Sequence, residues 1–225
     1  MSRLPLAHEP GARFSYGFST DVLGALVEKV SGQTFGSFCE ERIFRPLRMR
    51  DTGFSVPAAQ QSRLAVLYEK DKEGRLKPAQ PIGSVRPNPG PKLEAGGMGL
   101  FSTAGDYARF MQMLLNGGTL DGTRLLSRKT VDLMMANHLE NLPRPTIEFN
   151  EYDGFGLGGS VLVNLARAGY PTSVGDFGWN GAATTRARID SKERLLTLCL
   201  AQHFPFDGEG LFWRFATLVG SAIAD

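Results

Sequence analysis

Two short stretches hold residue types that could move a proton or stabilise a developing charge. The first is Phe14-Ser15-Tyr16-Gly17, where a tyrosine stands among small residues six positions ahead of Val22, the start of an apolar helix face. A phenol aimed from a loop can take a proton from a nucleophile and return it to a leaving group. The second is Trp179-Asn180-Gly181-Ala182, within FGWNGAATT. Small residues entering a strand there leave backbone N–H groups at a strand edge, beside an aromatic wall, where an oxyanion can be held. Each stretch also has a plainer reading. Tyr16 could be a loop aromatic packed on the following helix, and Trp179 a ring packed over a tight turn.

Other chemistries find less support. A Gly-x-Ser-x-Gly nucleophile turn is absent, and the nearest candidate, GGSVL around Ser160, lacks the second glycine. His8, His138 and His203 lie far apart and outside any motif, so each reads as a surface or packing histidine. Carboxylates are scattered over helix faces and loops, and no glycine-rich phosphate loop carries its lysine into a helix. Cys39 and Cys199, with no paired Cys/His spacing, give neither a disulfide framework nor a metal site.

The 225 residues are enough for one substantial core. A formal net charge of +2, with acids and bases interspersed, gives no electrostatic case for nucleic acid. No apolar run approaches membrane-spanning length, and the N-terminal residues lack a signal pattern, so a cytoplasmic setting is the default expectation.

Patterning supplies the elements that must position Tyr16 and Ala182. Ser19 or Thr20 is expected to cap a helix with Val22, Leu23, Leu26, Val27 and Val30 on one side, ending at Gly32. Thr34 caps a short second helix that stops before Pro46. Residues 63–80 read as a hairpin turning at Lys72-Glu73-Gly74, followed by the irregular PIGSVRPNPGPK. Ser102 or Thr103 opens a helix bearing Tyr107, Phe110, Met111, Leu114 and Leu115, and Ser127 opens another. The last third changes period: GFGLGGSVLV reads as strand, then AATTRARID and RLLTLCLAQ as a hairpin, then a closing amphipathic helix. This is an α+β chain, with 1–150 mostly helical and 151–225 built from antiparallel strands and a helix.

At this point four segments, in order, carry a resemblance. PGARFSYGFSTDVLGALVEKVSGQTF, ERIFRPLRMRDTGF, GGMGLFSTAGDYARFMQMLLNGGTLDGTRLLS and FGWNGAATTRARIDSKE resemble the serine β-lactamase and penicillin-binding-protein superfamily, in its class C-like carboxylesterase branch. The resemblance covers nearly the whole chain. It implies a β-lactamase/transpeptidase-like fold, an antiparallel sheet flanked by helices with a helical subdomain. It also implies acyl transfer from small ester or amide substrates through a serine, which needs no cofactor or metal. Tyr16 would be the catalytic phenol, and the N–H of Ala182 one of two oxyanion donors. Trp179, Asn180 and Gly181 would form the strand-edge triplet, with Phe18 also facing substrate.

The chain departs from the family pattern in three places. Phe18 stands where the family's Tyr-x-Asn has asparagine, and Trp179 where Lys-Thr-Gly has lysine. Both changes favour neutral, apolar acyl substrates over β-lactams bearing a carboxylate. The third is larger: none of the seven lysines has a serine three residues before it, so the family's Ser-x-x-Lys pair is missing. Since a free phenol titrates near pH 10, a tyrosine base needs such a cation beside it. The expectation is therefore the C-terminal part of a serine hydrolase, inactive alone, that self-associates or works with a companion N-terminal segment. The alternative is a non-catalytic domain that binds a ligand or partner in the remaining cleft.

Overall fold

A computed structural model describes residues 5–82, 87, 90–142, 151–207 and 210–224. Part of the proline-rich PIGSVRPNPGPK stretch falls outside the described residues. The chain opens with helix α1 (Ser19–Ser31) and α2 (Phe35–Cys39), which runs into a π-helical turn at Glu40–Phe44. A 3-10 turn (Ala58–Arg63) precedes the small hairpin β1 (Tyr68–Lys70) and β2 (Leu76–Pro78). Then come α3 (Ala104–Leu115), the β3–β4 pair (Thr119–Leu120, Thr123–Arg124) and α4 (Arg128–Met135).

The last third forms one antiparallel sheet in chain order: β5 (Asp153–Phe155), β6 (Ser160–Leu162), β7 (Phe177–Gly181), β8 (Thr185–Asp190) and β9 (Leu195–Leu200). A one-turn helix α5 (Leu165–Ala168) bridges β6 and β7, and α6 (Leu211–Ser221) closes the described chain. Helices beside an antiparallel sheet make this an α+β fold, the class the residue patterning implies.

Capping chemistry sets several boundaries as the sequence implies. Thr34, Thr103 and Ser127 each accept a hydrogen bond from the backbone N–H three residues on, at Ser37, Asp106 and Thr130. The start of α1 is different. Neither Ser19 nor Thr20 caps it; both lie inside the helix, and Phe18 occupies the cap position with no side-chain acceptor. At the other end Gly32 adopts φ 71°, a left-handed stop that glycine takes without steric penalty.

The main core gathers Leu47, Met49, Met111, Met113, Leu114 and Val131 under Ile189 of β8. Period-2 alternation puts Ile189 and Ala187 on the face toward α3, together with their partners Leu196 and Leu198 on β9. Asp106, in the first turn of α3, accepts from Asp51 N (2.7 Å) and Thr52 Oγ1 (3.0 Å) and so ties RMRDTGF to that helix.

The apolar stripe of α1 does not join this core. Val22, Leu23 and Leu26 are more than half exposed or at half, and Val30 is 78% exposed. What α1 buries is Gly24. The sequence pattern correctly gives an amphipathic helix, but its apolar face finds no cover among the described residues.

Both cysteines are free thiols. Burial, with the Glu94 carboxylate adding to it, pushes the Cys39 thiol up to about 11. Burial also raises Cys199, which is only half-buried. At pH 8 the thiolate fraction of Cys39 is then about 10⁻³, against roughly a quarter for an ordinary thiol. Iodoacetamide should therefore alkylate native Cys39 at least about a hundredfold more slowly than denatured Cys39, with Cys199 modified first. Peptide mass spectrometry with and without denaturant measures this, and equal native rates at both positions would contradict it.

Candidate functional site

The Tyr16 loop is positioned by what happens one turn later. Gly96, in EAGGMG, lies so close to α1 that a Cβ there would stand 2.1 Å from the Thr20 carbonyl oxygen. Any side chain at 96 would push the first turn of α1 away, and Tyr16 with it. The Asp21 carboxylate accepts from Gly97 N at 3.1 Å, and Glu28 accepts from Phe35 N at 2.9 Å. Ahead of the helix, His8 Nε2 and Ser15 Oγ share a hydrogen bond of 3.2 Å, which fastens the loop to the preceding turn.

The strand-edge segment is built differently from the sequence reading. Trp179-Asn180-Gly181 does not enter a strand; it ends one. Phe177–Gly181 is β7, paired with β8 from Phe177↔Ile189 to Gly181↔Thr185. Gly178 obscures this strand in the sequence, yet the sheet requires it: a Cβ there would sit 1.9 Å from the Ala187 carbonyl oxygen. Ala182, Ala183 and Thr184 make the three-residue connection to β8, with Ala182 exposed.

The two stretches meet. The rings of Tyr16 and Trp179 lie with centroids 5.5 Å apart at an interplanar angle of 33°. Trp179 also meets Phe155 of β5 edge-on at 5.1 Å, and Phe155 meets Phe14 at 4.8 Å. Four aromatic rings from one loop and two strands thus form one wall. Phe14 and Phe155 escape sequence reasoning, because Phe14 has no motif and Phe155 reads as an ordinary strand residue.

Tyr16 is half exposed rather than buried in the core. Phe18 is also exposed, at the start of α1, and makes no ring contact with this wall among the described residues. Asn180 is exposed, and Gly181 is half-buried.

Trp179 pairs with Ala187, so it shares the face of the sheet that packs on α3. Arg186, Arg188 and Asp190 alternate onto the other face. There, with Tyr170, Thr172, Asp176 and apolar residues of α6, they line a small cavity. That cavity is separated from the aromatic wall by the sheet itself. Among the described residues, no group of three or more His, Cys, Asp or Glu could hold a metal ion. Nor is any helix long and apolar enough to cross a membrane.

Residues 1–219 match the family described as Beta-lactamase. The chain is 38% identical over 212 residues to protein Rv1367c of Mycobacterium tuberculosis, covering 91% of this chain and 52% of that protein. It is 30% identical to the lovastatin esterase of Penicillium rubens, covering 93% of this chain and 55% of that enzyme. Among solved structures, unliganded simvastatin synthase from Aspergillus terreus superposes with a TM-score of 0.79 at 26% identity, over 97% of this chain and 58% of the synthase. The chain therefore spans about half the length of the curated relatives it matches.

Proposed function

The chain belongs to the beta-lactamase family, and from that premise we propose that it carries the tyrosine and strand-edge half of a serine acyl-transfer site. The observation that carries this reading is the contact between Tyr16 and Trp179, which brings two stretches far apart in the chain together in one aromatic wall. The serine and its lysine come from polypeptide outside these 225 residues, since no Ser-x-x-Lys occurs within them.

In the assembled site the serine hydroxyl attacks an ester carbonyl. Tyr16, as a phenolate beside the lysine that comes with the serine, accepts the serine proton, and the phenol so formed gives it to the departing alcohol. The Ala182 N–H helps hold the tetrahedral oxyanion, and water then hydrolyses the acyl-serine. Substrates are neutral, apolar esters: Phe18 and Trp179 replace the amide and the cation that would recognise a charged β-lactam. Relatives named as a lovastatin esterase and a monacolin J acid methylbutanoyltransferase support this chemistry class.

The exposed stripe of α1 and the outer edge of β9 are where the companion segment docks. The outer side of β9 pairs with no strand among the described residues, and an open edge of that kind recruits another chain. Left without that segment, the chain self-associates.

A serine-directed phosphonate and an activated short-chain ester test the proposal. The chain alone should show neither labelling nor turnover. Supplying a family-type Ser-x-x-Lys segment, fused or as a second chain, should restore both. Ester turnover by the 225 residues alone would overturn it. A monomer that unfolds cooperatively and gains nothing from the added segment would favour a ligand- or partner-binding domain instead.

A further inference from the structure

Thr184 is out of place by local rules. It ends the Ala182-Ala183-Thr184 connection between β7 and β8 with φ +57°, in the left-handed region that three-residue hairpin loops normally fill with glycine. A β-branched residue there is a genuine outlier. It is also among the most buried side chains in the protein, at 2% exposure.

Its hydroxyl explains how the conformation is held. Thr184 Oγ1 donates to the His203 carbonyl oxygen at 2.8 Å and accepts from Asp207 N at 2.9 Å. His203 N in turn donates to the Ala183 carbonyl oxygen at 3.1 Å. The Asp207 carboxylate accepts from Phe212 N in the first turn of α6 at 3.1 Å. A strained loop is thus clamped by the segment that leads into the C-terminal helix. Strain of this kind persists only where the surroundings over-determine it.

We propose that Thr184 is a positioning residue that fixes the direction of the Ala182 N–H through this clamp. The inference rests on the acyl-transfer reading, in which that N–H holds the oxyanion. The loop has only three residues, so the dihedral angles at 184 constrain the peptide plane at 182. An oxyanion donor works only when it is already aimed where charge will develop, and displacement by about 1 Å can remove as much as 100-fold in rate.

Three substitutions separate clamp from backbone. Thr184→Ser keeps the hydroxyl, Thr184→Gly relieves the φ strain but deletes the clamp, and Thr184→Val leaves the His203 and Asp207 backbone groups unpaired. In the 225-residue chain, ¹⁵N relaxation should give Ala182 and Ala183 order parameters of about 0.85 in the wild type and the serine variant. In the glycine variant they should fall toward 0.6 or below, with β8 and β9 unchanged. With the Ser-x-x-Lys segment supplied, Thr184→Gly should lose about 10–100-fold in kcat with KM changed less than about threefold, and Thr184→Ser should recover it.

A glycine variant as ordered and as active as the wild type would overturn the proposal. So would equal losses in kcat and thermal stability in all three variants, the mark of a merely structural residue. Should the wild type with its added segment hydrolyse no ester, the acyl-transfer reading fails, while the relaxation measurement still decides whether Thr184 orders the loop.

Discussion

Tyr16→Phe should reduce ester hydrolysis by the complemented enzyme about 10²–10⁴-fold, the usual worth of a positioned acid–base group. Phenylalanine keeps the ring that packs 5.5 Å from Trp179 and deletes only the hydroxyl, so the loss should fall on kcat rather than on folding. Steady-state kinetics together with a thermal melt decide between the two. A large fall in kcat at unchanged melting temperature supports proton transfer by Tyr16. An active Tyr16→Phe enzyme removes the phenol from the mechanism and leaves it as wall. Within the same experiment Trp179→Lys provides the specificity arm. A cation at the strand edge should shift the ratio of rates toward substrates carrying a carboxylate, because it supplies the charge that the native indole lacks.

Much of this scaffold is legible in the sequence, and the exceptions share a cause. The caps at Thr34, Thr103 and Ser127, the stop at Gly32 and the β8–β9 hairpin are local signals, satisfied within a few residues. Each appears where the sequence places it. The features that escape are long-range. β7 is hidden because Gly178 reads as a strand breaker, and its purpose, close passage of the Ala187 carbonyl, exists only once β8 is paired. Thr184 reads as an ordinary strand residue, and nothing local announces that His203 and Asp207 will hold it in a left-handed conformation. The α1 stripe shows the converse. Periodicity reports that a helix has an apolar face, but not whether that face is covered within the same polypeptide. Tyr16 itself was detectable by its odd setting among small residues, whereas its companion rings Phe14 and Phe155 were not.

Arg188 and Asp176 carry the last prediction. Period-2 alternation puts Arg186 and Arg188 on one face of β8, which by itself reads as solvent-facing, yet Arg188 is only 6% exposed. Its guanidinium donates to Ser160 Oγ (2.6 Å) and to the Asp176 carbonyl oxygen (2.6 Å), and Nε stands 3.2 Å from Asp176 Oδ1. One side chain thereby joins β6 to the residue just before β7, beneath the strand that carries Trp179. Burial raises the Asp176 carboxyl above its ordinary range, and Arg188 opposes that rise.

Arg188→Met should therefore destabilise the chain by about 3–5 kcal/mol at neutral pH, because it strands a buried carboxylate. The pH dependence has a definite sign. Without Arg188 the folded pKa of Asp176 climbs further above the unfolded value near 3.9, so the unfolded state binds fewer protons in that interval. The stability that Asp176 contributes is then greatest below about pH 4 and falls as pH rises through the raised value. Denaturant unfolding at acidic and neutral pH should show the smaller penalty in acid. Asp176→Leu combined with Arg188→Met should regain most of the loss, short of about 1 kcal/mol for the hydrogen bonds to Ser160 and the Asp176 carbonyl. If the double variant is no more stable than Arg188→Met alone, the arginine acts through those backbone and hydroxyl contacts, and the ion pair contributes little.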